Sequence, residues 1–173
     1  VIELNPERAP LTVANFLGYV KEGHYTNSLF HRVLANFMIQ GGGLTAQYTL
    51  KPVHPPIPNE SGNGLQNVRG AVGLARTAAP HSGDAQFFVN VGNNADLDPL
   101  PTRWGYTVFG KVVEGMDVVD RISVQPTGAV ATLKSDVPLT PVVIRSIELI
   151  GAPPATTPAA PALAPVATPA EPP

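Results

Sequence analysis

The run Phe30-His31-Arg32-Val33-Leu34-Ala35-Asn36-Phe37-Met38-Ile39-Gln40-Gly41-Gly42 sets a guanidinium and an amide among apolar side chains. Read as two short strands, its alternation sends Phe30 and Arg32 to the face opposite His31 and Val33. An arginine on an apolar strand is costly unless something accepts its hydrogen bonds. Phe37, Met38 and Gln40 bring two apolar groups and an amide close by. The chemistry on offer is hydrogen-bond donation, with no nucleophile in the set. Taken alone, Arg32 reads first as a paired structural arginine.

A second segment shifts that balance. Gly70-Ala71-Val72-Gly73-Leu74-Ala75-Arg76-Thr77 is followed by Ala85-Gln86-Phe87-Phe88-Val89-Asn90. Gln86 and Phe88 are two apart and share one strand face. Ala75-Arg76-Thr77 falls at a strand end, where backbone N–H and C=O groups can stay free. Other chemistries drop out. No phosphate-binding glycine motif, zinc-protease motif or nucleophile elbow is present. Gly41-Gly42-Gly43 lacks the helix start and lysine of a phosphate cradle and reads as a turn. His24 and His31 do not share a helix, so they do not suggest a metal site. His81-Ser82 with Asp84 in one loop is a poor nucleophile set, because adjacent residues rarely converge on one atom. Asn59-Glu60-Ser61 matches a glycosylation sequon that is common by chance.

The elements that position these residues are mostly short strands. A strand at Val1–Leu4 precedes a helix opened by Pro10-Leu11-Thr12, with Val13, Phe16, Leu17 and Val20 on one face and Gly23 past its end. Strands follow at Ser28–Val33 and Phe37–Gln40. A loop composition covers Gly41–Gly64. Further strands are read at Ala71–Ala75, Gln86–Val91, Tyr106–Val112 and Val142–Ile150, with a polar loop at Asn93–Gly105 and a short helix at Glu114–Ile122. Many strands with two helices favour a closed β-barrel over a βαβ sheet.

The 173 residues suit one domain, taken as residues 1–150, followed by an Ala/Pro-rich, disordered, polyproline-like tail over 151–173. The formal net charge is -2 and 14% of residues are charged, which argues against nucleic acid as a partner. There is no cysteine, so disulfides, thiol nucleophiles and Cys-ligated zinc are excluded. No apolar run is long enough to enter a membrane as a spanning helix. The start at Val1 within a strand-like run is read as a trimmed N-terminus.

The F-H-R-V-x-x-x-F-M-I-Q-G-G and A-Q-F-F runs, together with Trp104-Gly-Tyr-x-Val-Phe-Gly-Lys-Val-Val-x-Gly-Met-Asp-Val-Val-Asp120, resemble the cyclophilins, a family of peptidyl-prolyl cis–trans isomerases. Ala75-Arg76-Thr77, Pro80-His81-Ser82 and Tyr106 look most similar to its bacterial branch. The resemblance implies a closed eight-stranded antiparallel barrel capped by two helices, with the site on its outer face. It puts the catalytic arginine at Arg32 and the proline pocket at Phe37, Met38, Phe88 and Leu97. The glutamines fall at Gln40 and Gln86, and the peptide-binding edge at Ala75, Arg76 and Thr77, with Arg76 acting through its main chain. Tyr106 stands where many eukaryotic members have histidine. No cofactor or metal is implied. The partners implied are proline-containing segments of unfolded or folding proteins, met by a monomer. Two departures stand out. The family's first strand is missing ahead of Ile2-Glu3-Leu4, and Asp96 replaces an aromatic before Leu97, which implies weak cyclosporin binding. The zero cysteine count, the tail and the Asn94-Ala95-x-Leu97-Asp98 and Phe109–Val113 stretches look most like periplasmic members, with the cytoplasm as the alternative.

Overall fold

The computed structural model describes residues 1–151; the Ala/Pro-rich tail lies outside the described residues except for Gly151. Among the described residues nine strands and two α-helices follow in the order β1 (Ile2–Leu4), α1 (Pro10–Lys21), β2 (Ser28–Leu34), β3 (Met38–Thr45), β4 (Ala71–Leu74), β5 (Phe87–Asn90), β6 (Val108–Val112), α2 (Met116–Ser123), β7 (Thr127–Val130), β8 (Leu133–Pro138) and β9 (Val143–Ile144). Seven strands form one curled antiparallel sheet in the order β1-β6-β4-β5-β3-β2-β9. Strands β7 and β8 form a separate hairpin, which lies against β2.

Helix α1 starts where Pro10, lacking an N–H, fits the first turn. It buries Thr12, Val13, Phe16 and Tyr19. Phe16 meets Tyr25, Phe87 and Phe109 at ring-centroid distances of 5.0, 5.6 and 5.2 Å. These rings close the sheet's inner face. Leu17 and Val20 are only partly buried, because their flank borders an apolar groove of about 660 Å³ between β1, α1 and residues 146–151.

Three readings need correction. Strand β3 runs on through Gly41, Gly42 and Gly43 to Thr45, where the composition suggested a turn and loop. The glycines are there for close approach: a Cβ on Gly41 would lie 2.7 Å from the Leu29 carbonyl oxygen, and one on Gly43 would lie 2.6 Å from Gln86 Cδ. The closing strand covers only Val143–Ile144 of the expected Val142–Ile150, because residues beyond Ile144 have no ladder partner among the described residues. The β7–β8 hairpin carries no strong apolar alternation and was not expected.

Candidate active site on the outer face of the sheet

Sheet register assembles the site. Val33, Ile39, Val89 and Val72 are successive Cα partners across β2, β3, β5 and β4, and all four are buried in the inner core. One residue along each strand, Arg32, Gln40, Phe88 and Gly73 are likewise successive partners. Side chains alternate along a strand, so this second row faces out. The apolar pattern that drives Val33 and Ile39 inward therefore obliges Arg32 and Gln40 to point outward.

Met38, Ala75 and Phe88 form a small buried cluster apart from the main core, with Leu34, Phe37, Leu97 and Tyr106 packed on it. A cleft of about 180 Å³ is lined by Arg32, Phe37, Met38, Gln40, Ala75, Arg76, Phe88, Leu97 and Tyr106. The Phe88 and Tyr106 rings meet edge-to-face at 5.8 Å. A shallow apolar floor, a ring of aromatic and aliphatic walls and the Arg32 guanidinium beside Gln40 suit a small ring bearing a polar neighbour.

The polar side is a chain. Arg32 Nη1 makes a long contact of 3.5 Å to Gln40 Oε1, and Gln40 Nε2 donates to Gln86 Oε1 at 3.0 Å. Gln86 does not line the cleft; it joins the chain through its bond from Gln40. Burial, aided by the charge of Arg32, pushes the His31 pKa below its ordinary value, while the Leu29 backbone and the Gln86 side chain oppose the shift. The imidazole is thus neutral at pH 7 and adds no second positive charge beside Arg32.

The backbone edge at Ala75–Thr77 leaves fewer free N–H groups than a strand end could. The Ala75 N–H donates to the Gln86 carbonyl at 2.9 Å, and the Thr77 N–H donates to Ser82 Oγ at 2.9 Å. The Arg76 N–H has no protein acceptor among the described residues. Arg76 also has a side-chain task. Its guanidinium lies 4.4 Å from the Tyr106 ring centroid and donates to the carbonyls of Gly105, Thr77 and Trp104 at 2.9–3.0 Å. It therefore braces the Tyr106 wall.

Two contributions escaped the sequence reading. Asp136 on β8 places Oδ2 4.0 Å from Arg32 Nε. An asparagine chain fixes the cleft's other flank. Asn94 Nδ2 donates to the Phe37 carbonyl at 2.8 Å and to Asn90 Oδ1 at 2.6 Å. Asn90 then donates to Asn67 Oδ1 at 3.2 Å, and Asn67 donates to Asp98 Oδ1 at 2.9 Å. Asn90 and Asn67 are buried. Their mutual satisfaction ties the turn carrying Phe37 to the 3-10 turn, Ala95–Leu97, that carries Leu97. Asn59, of the sequon, donates its amide to the carbonyls of Pro80 and Gly105, and Ser61 is buried.

A mainly β fold with an outer cleft that sets Arg32 and Gln40 beside an apolar ring pocket, Gln86 being bonded to Gln40, defines a class of peptide-binding barrels. Residues 1–149 match the family described as cyclophilin type peptidyl-prolyl cis-trans isomerase/CLD. The chain is 51% identical to the peptidyl-prolyl cis-trans isomerase cyp18 of Streptomyces antibioticus, covering 87% of this chain and 92% of that protein. It is 49% identical to peptidyl-prolyl cis-trans isomerase B of Escherichia coli K12, covering 85% and 91%. A crystal structure of a cyclophilin-type isomerase of Cryptosporidium parvum, obtained in the presence of the dipeptide Ala-Pro, superposes with a TM-score of 0.70 at 22% identity, covering 87% of this chain and 92% of that one. The chain belongs to the cyclophilin-type peptidyl-prolyl cis–trans isomerases, and its activity is rotation about X-Pro peptide bonds.

Proposed function

We propose that Arg32 is the catalytic group of this isomerase and that the substrate's pyrrolidine ring occupies the pocket of Phe37, Met38, Phe88 and Leu97. The observation that carries this reading is the outward register row of Arg32, Gln40 and Phe88, which aligns guanidinium, amide and pocket floor on adjacent strands. The X-Pro amide resists rotation with a barrier of ~18–20 kcal/mol, which comes from resonance. When the bond twists, the prolyl nitrogen pyramidalises and its lone pair becomes an acceptor. A donor from Arg32 then bonds the twisted state better than the planar one, which is the condition for acceleration. Gln40 and the free Arg76 N–H hold the flanking peptide, so that rotation is confined to one bond.

The clients are proline-containing segments of unfolded or folding chains, because the cleft is open and its lining offers an apolar ring pocket, Arg32, Gln40 and one stretch of backbone at Ala75–Arg76, with little to select neighbouring side chains. We place the protein in the periplasm rather than the cytoplasm, on its lack of cysteine and its likeness to that branch at Asn94–Asp98 and Phe109–Val113. Fractionating cells that express the tagged full-length gene tests that placement; recovery in the cytosol alone refutes it. Arg32→Ala tests the catalytic assignment. Its kcat/KM should fall by roughly two to three orders of magnitude, with folding and ground-state peptide affinity nearly unchanged. A folded variant with near-normal turnover would refute it.

A further inference from the structure

The geometry points to Asp136 as a positioning residue for Arg32: its carboxylate holds the Nε side of the guanidinium, so that the Nη side is turned towards Gln40 and the cleft. This inference rests on the catalytic reading of Arg32.

Arg32 is exposed, and its side chain meets polar partners on two sides. Gln40 Oε1 lies 3.5 Å from Nη1, and Asp136 Oδ2 lies 4.0 Å from Nε. An exposed arginine otherwise samples many rotamers, and each departure from the reactive geometry lowers the rate. The carboxylate at 4.0 Å acts through its charge rather than a hydrogen bond, and its attraction on one side with the amide on the other biases that freedom.

The second observation is how Asp136 is held. Its φ is +62°, a conformation that few residues other than glycine adopt and that aspartate tolerates better than most. The next two residues, Val137 and Pro138, are buried. Ser135 Oγ donates to Asp136 Oδ2 at 3.0 Å. The chain is thus anchored in the core at Val137 and turned at Asp136, so that the carboxylate reaches Arg32 on the neighbouring β2. Exposed ion pairs contribute little to stability, so stability does not account for this placement.

The experiment compares Asp136→Asn, Asp136→Glu and Arg32→Ala with the parent protein on a proline tetrapeptide, at low and high salt. Asparagine also tolerates the positive φ, so Asp136→Asn removes the charge while leaving the turn. It should lower kcat about three- to tenfold and move KM less than about twofold, because the defect is one of orientation. The deficit should shrink as salt screens the parent's ion pair. The Arg32 Nε–Hε resonance should shift, and the melting midpoint should not. Asp136→Glu, which retains the carboxylate, should recover part of the lost turnover. Full kcat in Asp136→Asn with an unmoved Arg32 resonance overturns the inference, as does an activity loss that merely follows the unfolded fraction. If Arg32→Ala itself keeps normal turnover, the catalytic reading fails instead.

Discussion

Gly73 and Phe88 are cross-strand partners, and a Cβ built on Gly73 would fall on the Phe88 ring. The missing side chain is what lets the ring lie down on β4 and form the cleft's floor. Gly73→Ala should lift the ring into the space proposed for proline. Overpacking of this kind typically costs about 1–3 kcal/mol. We expect KM to rise by an order of magnitude and the melting midpoint to fall by several degrees. Unchanged peptide affinity would show that Phe88 does not form the floor.

Gly43 stands in a similar relation to Gln86. Its Cβ would lie 2.6–2.7 Å from the Gln86 Cγ, Cδ and Nε2 atoms. Gly43→Ala should therefore expel the Gln86 amide and break its bond to Gln40. Gln40 would lose the partner that fixes its orientation towards Arg32. Turnover should fall about threefold to tenfold while the apolar pocket keeps its affinity for a proline ring. A larger effect on KM than on kcat would contradict this order of events.

Strand alternation gave Arg32 its outward face and put Gln86 and Phe88 on one strand face, while the grouping of Arg32, Gln40 and Phe88 came from the family resemblance, and the structure brings these three to one cleft. Met38, Ala75, Leu97 and Tyr106 join them there. Alternation failed at Phe30, which a bulge before Arg32 turns onto the inner core beside Phe87. What could not be read depends on contacts remote in sequence. Asp136 lies in a hairpin whose polar residues carry no period. The Asn67–Asn90–Asn94 chain has no pattern until three loops meet. Glycines 41–43 looked like punctuation, because close approach to Leu29, Tyr25 and Gln86 is invisible in one dimension. Arg76 gave no hint that its side chain braces Tyr106.

His24 and His31 should set the acid side of stability. Burial lowers the pKa of both in the folded protein. In the unfolded chain each titrates near ~6.5. Below that pH the unfolded state binds more protons, so stability falls as the medium acidifies and is fully present above it. The His31 Nδ1 is buried and meets no partner in good hydrogen-bond geometry among the described residues, so the Leu29 backbone and Gln86 side chain only partly offset the cost of burying its charge. We expect the melting midpoint to drop between pH 7.5 and pH 5.5, and a His24→Gln, His31→Gln double variant to flatten that slope. An equally steep slope in the double variant would place the acid sensitivity elsewhere.

Glu60 caps a helix that begins about 50 residues before it. Its Oε1 accepts from the Leu11 N–H at 3.1 Å, and its Oε2 accepts from the Thr12 N–H at 2.8 Å and the Thr12 hydroxyl at 2.7 Å. The local sequence offers no substitute, since Ala9 at the N-cap makes no side-chain cap and Pro10 has no N–H. A carboxylate there also meets the positive end of the helix dipole. Its own loop is fastened elsewhere, because the Glu60 N–H donates to Thr107 Oγ1 at 2.9 Å. The loss of charge-assisted bonds to a helix start typically costs about 1.5–3 kcal/mol. For a domain of this size that corresponds to a fall in melting midpoint of roughly 4–10 °C. Glu60→Ala should show that fall, and Glu60→Gln, which keeps one acceptor, should show part of it. Glu60 does not line the cleft, so kcat/KM measured well below the transition should match the parent. A Glu60→Ala protein that melts within about 1 °C of the parent would mean that water caps α1 as well as the carboxylate does.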